Sequence, residues 1–161
     1  MRRLLNRVHN LLYAKETGAS LDNARFPYIV TELNHQLEEW RDLLPPGLHF
    51  TVDLEPANNQ HAGFLRQRYL TCRSVIYRPY LTWLLANYTE STEVANDVLD
   101  KCQICLDACL LHMLNLRDFT HTVMVDTVCI FLSPQTPWAC FGFSSRSCHV
   151  LYFVNQSLAP L

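Results

Sequence analysis

The fold is decided by the stretch YIVTELNHQLEEWRDLL at residues 28–44. Its apolar residues recur every three or four positions, at Val30, Leu33, Leu37, Trp40 and Leu44. That spacing draws one apolar stripe along a helix, with most of the charged residues off the stripe. Pro45, Pro46 and Gly47 follow at once and cannot continue the helix. The stretch therefore predicts an amphipathic helix that buries one face against other helices.

The composition agrees with a helical, globular chain. The 161 residues are 49% hydrophobic and 17% charged, which suits one domain with its own core. Only four glycines occur, and so few leave little room for hairpin turns or phosphate-binding loops. We therefore expect an all-α fold.

Working outward from residues 28–44, we predict about five helices in total. The others are expected at residues 2–15, 62–87, 92–116 and 118–132, with Ser91 or Thr92 capping the fourth. Pro79 falls inside the third helix and predicts a kink or a break near Tyr77 and Arg78. Residues 49–60 read as a loop, with a strand-like alternation at Phe50, Val52 and Leu54. Residues 133–161 show neither helical nor strand periodicity, and we expect an irregular tail.

Cys102, Cys105, Cys109 and His112 are the first candidates for a functional site, because all four side chains can bind zinc. On one continuous helix, however, Cys102 and His112 lie ~15 Å apart along the axis, too far for a single ion. The favoured interpretation is a buried helix face of small apolar residues, which also includes Val98 and Leu110. We predict no metal ligands in this chain.

Glu32 and His35 have the Glu-x2-His spacing of carboxylate-bridged di-iron bundles. Such sites need a second pair on another helix, and the sequence has none. A solvated helix face is the favoured interpretation of this pair.

Arginines alternate with tyrosines along the third helix, at Arg66, Arg68, Arg73 and Arg78. The alternatives are a surface for an acidic partner, a stacking site for single-stranded nucleic acid, or arginine stems covering a packed tyrosine face. Net charge is −2, which argues against a nucleic-acid binder. We predict a partner surface at these four arginines.

Catalytic and targeting motifs are absent from the sequence. There is no Gly-x-Ser-x-Gly elbow and no P-loop, so we predict no catalytic and no cofactor-binding residues. The basic start lacks the apolar region of a secretory signal, and we interpret it as the first bundle helix rather than a transit peptide. Seven cysteines without a secretion signal indicate an intracellular chain, and no apolar run is long enough to span a membrane.

Several motifs, taken in order, resemble the regulatory region of fungal zinc-cluster transcription factors, often called the middle homology region. They are LLNRVHNLLY at residues 4–13, NHQLEEWRDLLP at residues 34–45, Tyr69 followed by RPYL at residues 78–81, and Cys102-x2-Cys105-x2-Ala108-x3-His112. The resemblance covers residues 3–132, which we take as a helical piece of that region. In the family further helices follow, so we expect residues 133–161 to be an ending foreign to it.

The resemblance implies a non-catalytic function in the nucleus, in control of RNA polymerase II transcription through contacts with proteins or effectors. Family members bind zinc and DNA through a separate N-terminal six-cysteine module, whose pattern does not occur in these residues. No cofactor is therefore expected in this chain, and DNA binding is expected only through that module. The alternative is an independent helical scaffold or adaptor unrelated to transcription.

Overall fold

The computed structural model describes residues 1–13, 24–87 and 94–115. These residues form four α-helices and one 3₁₀ turn: α1 (Arg2–Leu12), α2 (Phe26–Asp42), η1 (Pro46–Leu48), α3 (Gln60–Asn87) and α4 (Asn96–Asn115). No strand occurs within the described ranges, and the all-α prediction is confirmed. The predicted fifth helix at 118–132 and the tail at 133–161 lie outside the described residues.

Helix α2 forms as its stripe predicts. It begins two residues before the predicted start, with Pro27 in its first turn, where the missing N–H needs no partner. Phe26, Val30, Leu33 and Leu37 are buried. The helix ends at Asp42, before the prolines.

Helix α3 is the centre of the bundle and contacts α1, α2, η1 and α4. Sixteen of its 28 residues are buried, on every side. A helix buried all round cannot show a single apolar stripe, which is why its sequence carries so weak a helical pattern. The functional consequence is that α3 has little free surface to offer a partner.

Helix α3 runs through Pro79 without ending, so the break that we considered there does not occur. Proline has no N–H, and the carbonyl of Val75 four residues earlier loses its helical donor. The hydroxyl of Tyr13, just past the end of α1, donates to that carbonyl at 2.6 Å. The pKa of Tyr13 is raised by burial, which keeps this hydroxyl protonated. A residue from α1 thus satisfies the acceptor that the proline leaves.

Helix α4 begins later than predicted. The amides of Val98 and Leu99 both donate to the carbonyl of Ala95, so Ala95 flanks the first turn. Ser91 and Thr92, the predicted caps of this helix, lie outside the described residues.

The loop at residues 49–59 contains no strand, and the strand-like interpretation of Phe50, Val52 and Leu54 is wrong. Side chains from the bundle fix this loop instead. Arg66 Nη1 donates to the carbonyl of Glu55 at 2.6 Å, and Asn115 Nδ2 donates to the carbonyl of Asp53 at 3.0 Å. The loop therefore depends on α3 and on the last residue of α4.

Candidate functional site

The row of cysteines on α4 faces α3. Cys102, Cys105, Cys109 and His112 are all buried, which confirms the predicted buried face for the three cysteines. Leu110, which was assigned to the same face, is instead exposed, because one residue further along a helix turns by about 100°.

Opposite this row, α3 presents buried polar residues at intervals of four, three and four: Gln67, Thr71, Ser74 and Arg78. Thr71 Oγ1 lies 3.5 Å from His112 Nδ1, and the Cys105 thiol donates to the Ser74 carbonyl at 3.4 Å. Residues later in α3 contact residues earlier in α4, so the two helices are antiparallel. We call this contact the polar seam.

Three titratable groups of the polar seam, His112, Cys102 and Cys105, are held in their neutral forms, whereas the hydrogen bond with Cys105 lowers the pKa of Cys109. Burial lowers the pKa of His112 to about 4 and raises the pKa of Cys102 to about 12. The hydrogen bond with Cys109, together with burial, raises the pKa of Cys105. A neutral imidazole and protonated thiols suit packing rather than nucleophilic chemistry.

Within the described ranges, no three or more His, Cys, Asp or Glu side chains are grouped so as to hold a metal ion. The absence of metal and cofactor sites in the whole chain stays a prediction.

The four arginines of α3 do not form one surface. Arg66 is only 1% exposed and Arg78 only 6%, so the predicted partner surface is wrong for these two. The physical reason is the central position of α3. Arg66 reaches the loop carbonyl of Glu55, and Arg78 lies close enough to His9 for its charge to add to burial in lowering the pKa of that imidazole.

Arg68 and Arg73 are half-buried, with Arg68 stacked over the Phe64 ring at 4.8 Å from its centroid. A partner contact at these two residues stays a prediction.

Tyr69 joins α2 to α3. Its hydroxyl donates to Glu38 Oε1 at 2.6 Å and accepts from Arg73 Nη1 at 3.1 Å. Arg41 lies over the ring, 5.4 Å from the centroid, and forms an ion pair with Glu38 at 3.0 Å. Burial and the hydrogen bond with Glu38 raise the pKa of Tyr69 to about 12, so the hydroxyl remains a donor.

Glu38 and Arg41 are among the charged residues that lie off the apolar stripe of residues 28–44. Their spacing of three residues was the signal that could have paired them.

An open groove of about 690 Å³ lies between α1 and α2. We call it the α1–α2 groove. It is lined by Met1, Arg3, Leu4, Arg7, Glu32, His35, Gln36, Glu39 and Trp40. The apolar members are half-buried and form the floor, whereas the charged members are exposed and form the two walls. The α1 wall carries arginines and the α2 wall carries carboxylates.

Glu32 and His35, the pair with the Glu-x2-His spacing, lie in this groove. Gln36 Nε2 donates to Glu32 Oε1 at 2.5 Å, and Arg7 Nη1 donates across the groove to Gln36 Oε1 at 3.2 Å. Both Glu32 and His35 are exposed rather than turned into the bundle, as a di-iron site would require. The pair therefore belongs to a surface, as the solvated-face interpretation predicts.

Comparison with known proteins relates the chain to a transcription factor. It is 30% identical to a protein of Aspergillus rugulosus named "Putative transcription factor ecdB", in a match that covers 67% of this chain. The chain spans about one fifth of that relative, since the match covers 20% of its length. No family model matches the chain, and no solved structure matches it either. No helix among the described residues is long and apolar enough to cross a membrane.

Proposed function

We propose that the chain belongs to the helical regulatory region of a fungal zinc-cluster transcription factor, with residues 1–132 as the helical part. The observation that carries the proposal is the similarity to the Aspergillus rugulosus protein. The order of the motifs at residues 4–13, 34–45 and 78–81 supports the same family. In this function the chain acts in the nucleus and controls RNA polymerase II transcription without catalysing a reaction.

The chemistry of the described residues is consistent with a contact function. The thiols of Cys72 and Cys102 are buried, and burial raises the pKa of each to about 12. Four exposed charged residues, Arg3, Arg7, Glu32 and Glu39, line the α1–α2 groove, where they can contact a partner. Zinc and DNA binding would be supplied by a separate module of a longer protein, and this chain needs no cofactor of its own.

A reporter assay tests the proposal. The chain is fused to an unrelated DNA-binding domain in a fungal host that carries a reporter gene with the matching operator. We expect reporter output to differ from that of the DNA-binding domain alone, in either direction. Leu33→Asp, which places a charge at a fully buried position of α2, should abolish the difference.

If the fusion leaves the reporter unchanged at normal protein levels, the chain is not a regulator of transcription. An independent helical scaffold or adaptor would then be the better description. A mobility-shift experiment complements the reporter assay: the chain alone should not bind operator DNA at physiological salt.

A further inference from the structure

We infer that the α1–α2 groove is a docking site for an amphipathic helix of a partner protein, with one acidic edge and one basic edge. The inference rests on the proposed function for its biological use, whereas the binding itself can be measured independently. It depends on three properties of the groove: its open shape, its apolar floor, and the opposite charges of its walls.

The floor and the length of the groove set the size of the occupant. Leu4 and Trp40 are half-buried and leave apolar surface between the two helices. On α2, Glu32 and Glu39 are seven residues apart, and seven residues of helix are about 10.5 Å long. The groove therefore accommodates about two turns of a third helix packed alongside α1 and α2.

The openness of the groove favours a helix over other occupants. A small molecule would be poorly enclosed there, whereas good small-molecule sites bury most of the ligand surface. An extended peptide would gain no backbone hydrogen bonds, because the backbone groups of α1 and α2 are already paired within the helices. A helix satisfies its own backbone and needs only an apolar stripe and compatible edges.

The wall charges define those edges. Arg3 and Arg7 lie one turn apart on the α1 wall and are exposed, and Glu32 and Glu39 are exposed on the α2 wall. An occupant helix with carboxylates beside α1 and ammonium groups beside α2 is attracted by both walls. A nucleic-acid backbone would be repelled by the two glutamates, and a uniformly charged helix would be repelled by one wall.

The geometry also dictates the control peptides. A helix can dock in the groove in either of two directions, and reversing its direction places each of its edges beside the other wall. A peptide whose acidic and basic edges have been exchanged can therefore still bind, in the opposite direction. The informative comparison is therefore between a helix with unlike edges and helices with two acidic or two basic edges. These three peptides can share one apolar stripe and one length.

The experiment uses the full chain and three fluorescent, covalently stapled helical peptides of about 14 residues, or four turns. Binding is measured by fluorescence anisotropy at low and at physiological salt. We expect the peptide with unlike edges to bind about tenfold more tightly than either matched peptide, with a smaller difference at high salt. Glu39→Lys should cancel the charge of the α2 wall, because Glu32 remains, and should remove the preference for the peptide with unlike edges over the peptide with two acidic edges. Arg3→Glu should cancel the charge of the α1 wall in the same way and remove the preference over the peptide with two basic edges.

Asp100→Lys provides the matched control, because it makes the same kind of charge change at an exposed position of α4 and should leave the preference unchanged. Circular dichroism establishes that each variant is folded. Equal binding of the three peptides, or a preference that Glu39→Lys does not alter, would overturn the inference. Self-association of the chain that Glu39→Lys abolishes would also overturn it, because a second copy would then occupy the groove.

The two proposals fail in distinguishable ways. If Glu39→Lys changes the peptide preference but the reporter fusion is silent, the groove is a docking site and the transcription proposal is wrong. If the reporter responds and the peptides do not discriminate, regulation occurs through another surface.

Discussion

Tyr13→Phe removes one oxygen atom, and the structure predicts what that oxygen contributes. The hydroxyl of Tyr13 donates to the Val75 carbonyl at 2.6 Å, and Pro79 denies that carbonyl its helical donor. Val75 is buried and the hydrogen bond is part-buried, so water replaces the hydroxyl only in part. A buried acceptor left without its donor costs roughly 1–3 kcal/mol, and we expect the free energy of unfolding to fall by about 1–2 kcal/mol. Urea unfolding followed by circular dichroism measures the change.

The cause is isolated by a double-mutant cycle with Pro79→Ala. Alanine restores an N–H at position 79, which can donate to the Val75 carbonyl within α3. In that background Tyr13→Phe should cost less than about 0.5 kcal/mol, which leaves an interaction energy of at least about 0.5 kcal/mol. Tyr28→Phe, at a side chain that is 78% exposed, is the control and should have no measurable effect. An equal cost of Tyr13→Phe in both backgrounds would refute the reasoning.

Three further predictions follow from the buried groups. Because the pKa of His112 is about 4 in the fold and about 6.5 when unfolded, the unfolded state binds more protons between these values. The free energy of unfolding should therefore fall by up to about 3 kcal/mol as the pH drops from 7 to 4, as measured by urea unfolding at a series of pH values. His112→Gln should reduce this pH dependence, and an unchanged pH dependence would contradict its assignment to His112. Arg66→Met keeps the apolar stem but loses the hydrogen bond to the Glu55 carbonyl, and should cost about 1.5–3 kcal/mol while making residues 49–59 easier to cleave in limited proteolysis. Cys72 and Cys102 should resist alkylation at pH 8 until the chain is unfolded, as judged by mass spectrometry of the peptides that contain them; rapid labelling in the native state would show that they are not buried.

The residues of α2 show what the sequence could predict. Its stripe has a period that belongs to one helix facing one core, and local spacing is enough to reveal it. Helix α3 lacks such a period because neighbours cover it on all sides, so no local pattern distinguishes the buried Arg78 from the half-buried Arg73. Their difference is decided by α1 and α4, which are distant in sequence.

The α1–α2 groove could not be predicted from the sequence, for a related reason. Arg3 and Glu39 each look like an ordinary charge off an apolar stripe. Only the packing of α1 beside α2 makes them opposite walls of one surface, and nothing in either segment specifies that neighbour. The role of Tyr13 could not be predicted either. Pro79 predicts that one helical carbonyl lacks its donor, but the sequence does not indicate which residue supplies the donor instead.

The polar seam has a consequence for synthesis on the ribosome. Helices α1 to α3 leave the ribosome before α4, and the loop at residues 49–59 lacks its hydrogen bond from Asn115 until that residue has emerged, 62 residues after its partner Asp53. During that interval the face of α3 that will receive α4 is open to water. Because that face carries Gln67, Thr71, Ser74 and Arg78, the nascent chain exposes polar side chains to water there rather than a wholly apolar surface. We therefore expect these four polar residues to lower the tendency of the nascent chain to aggregate before α4 covers them.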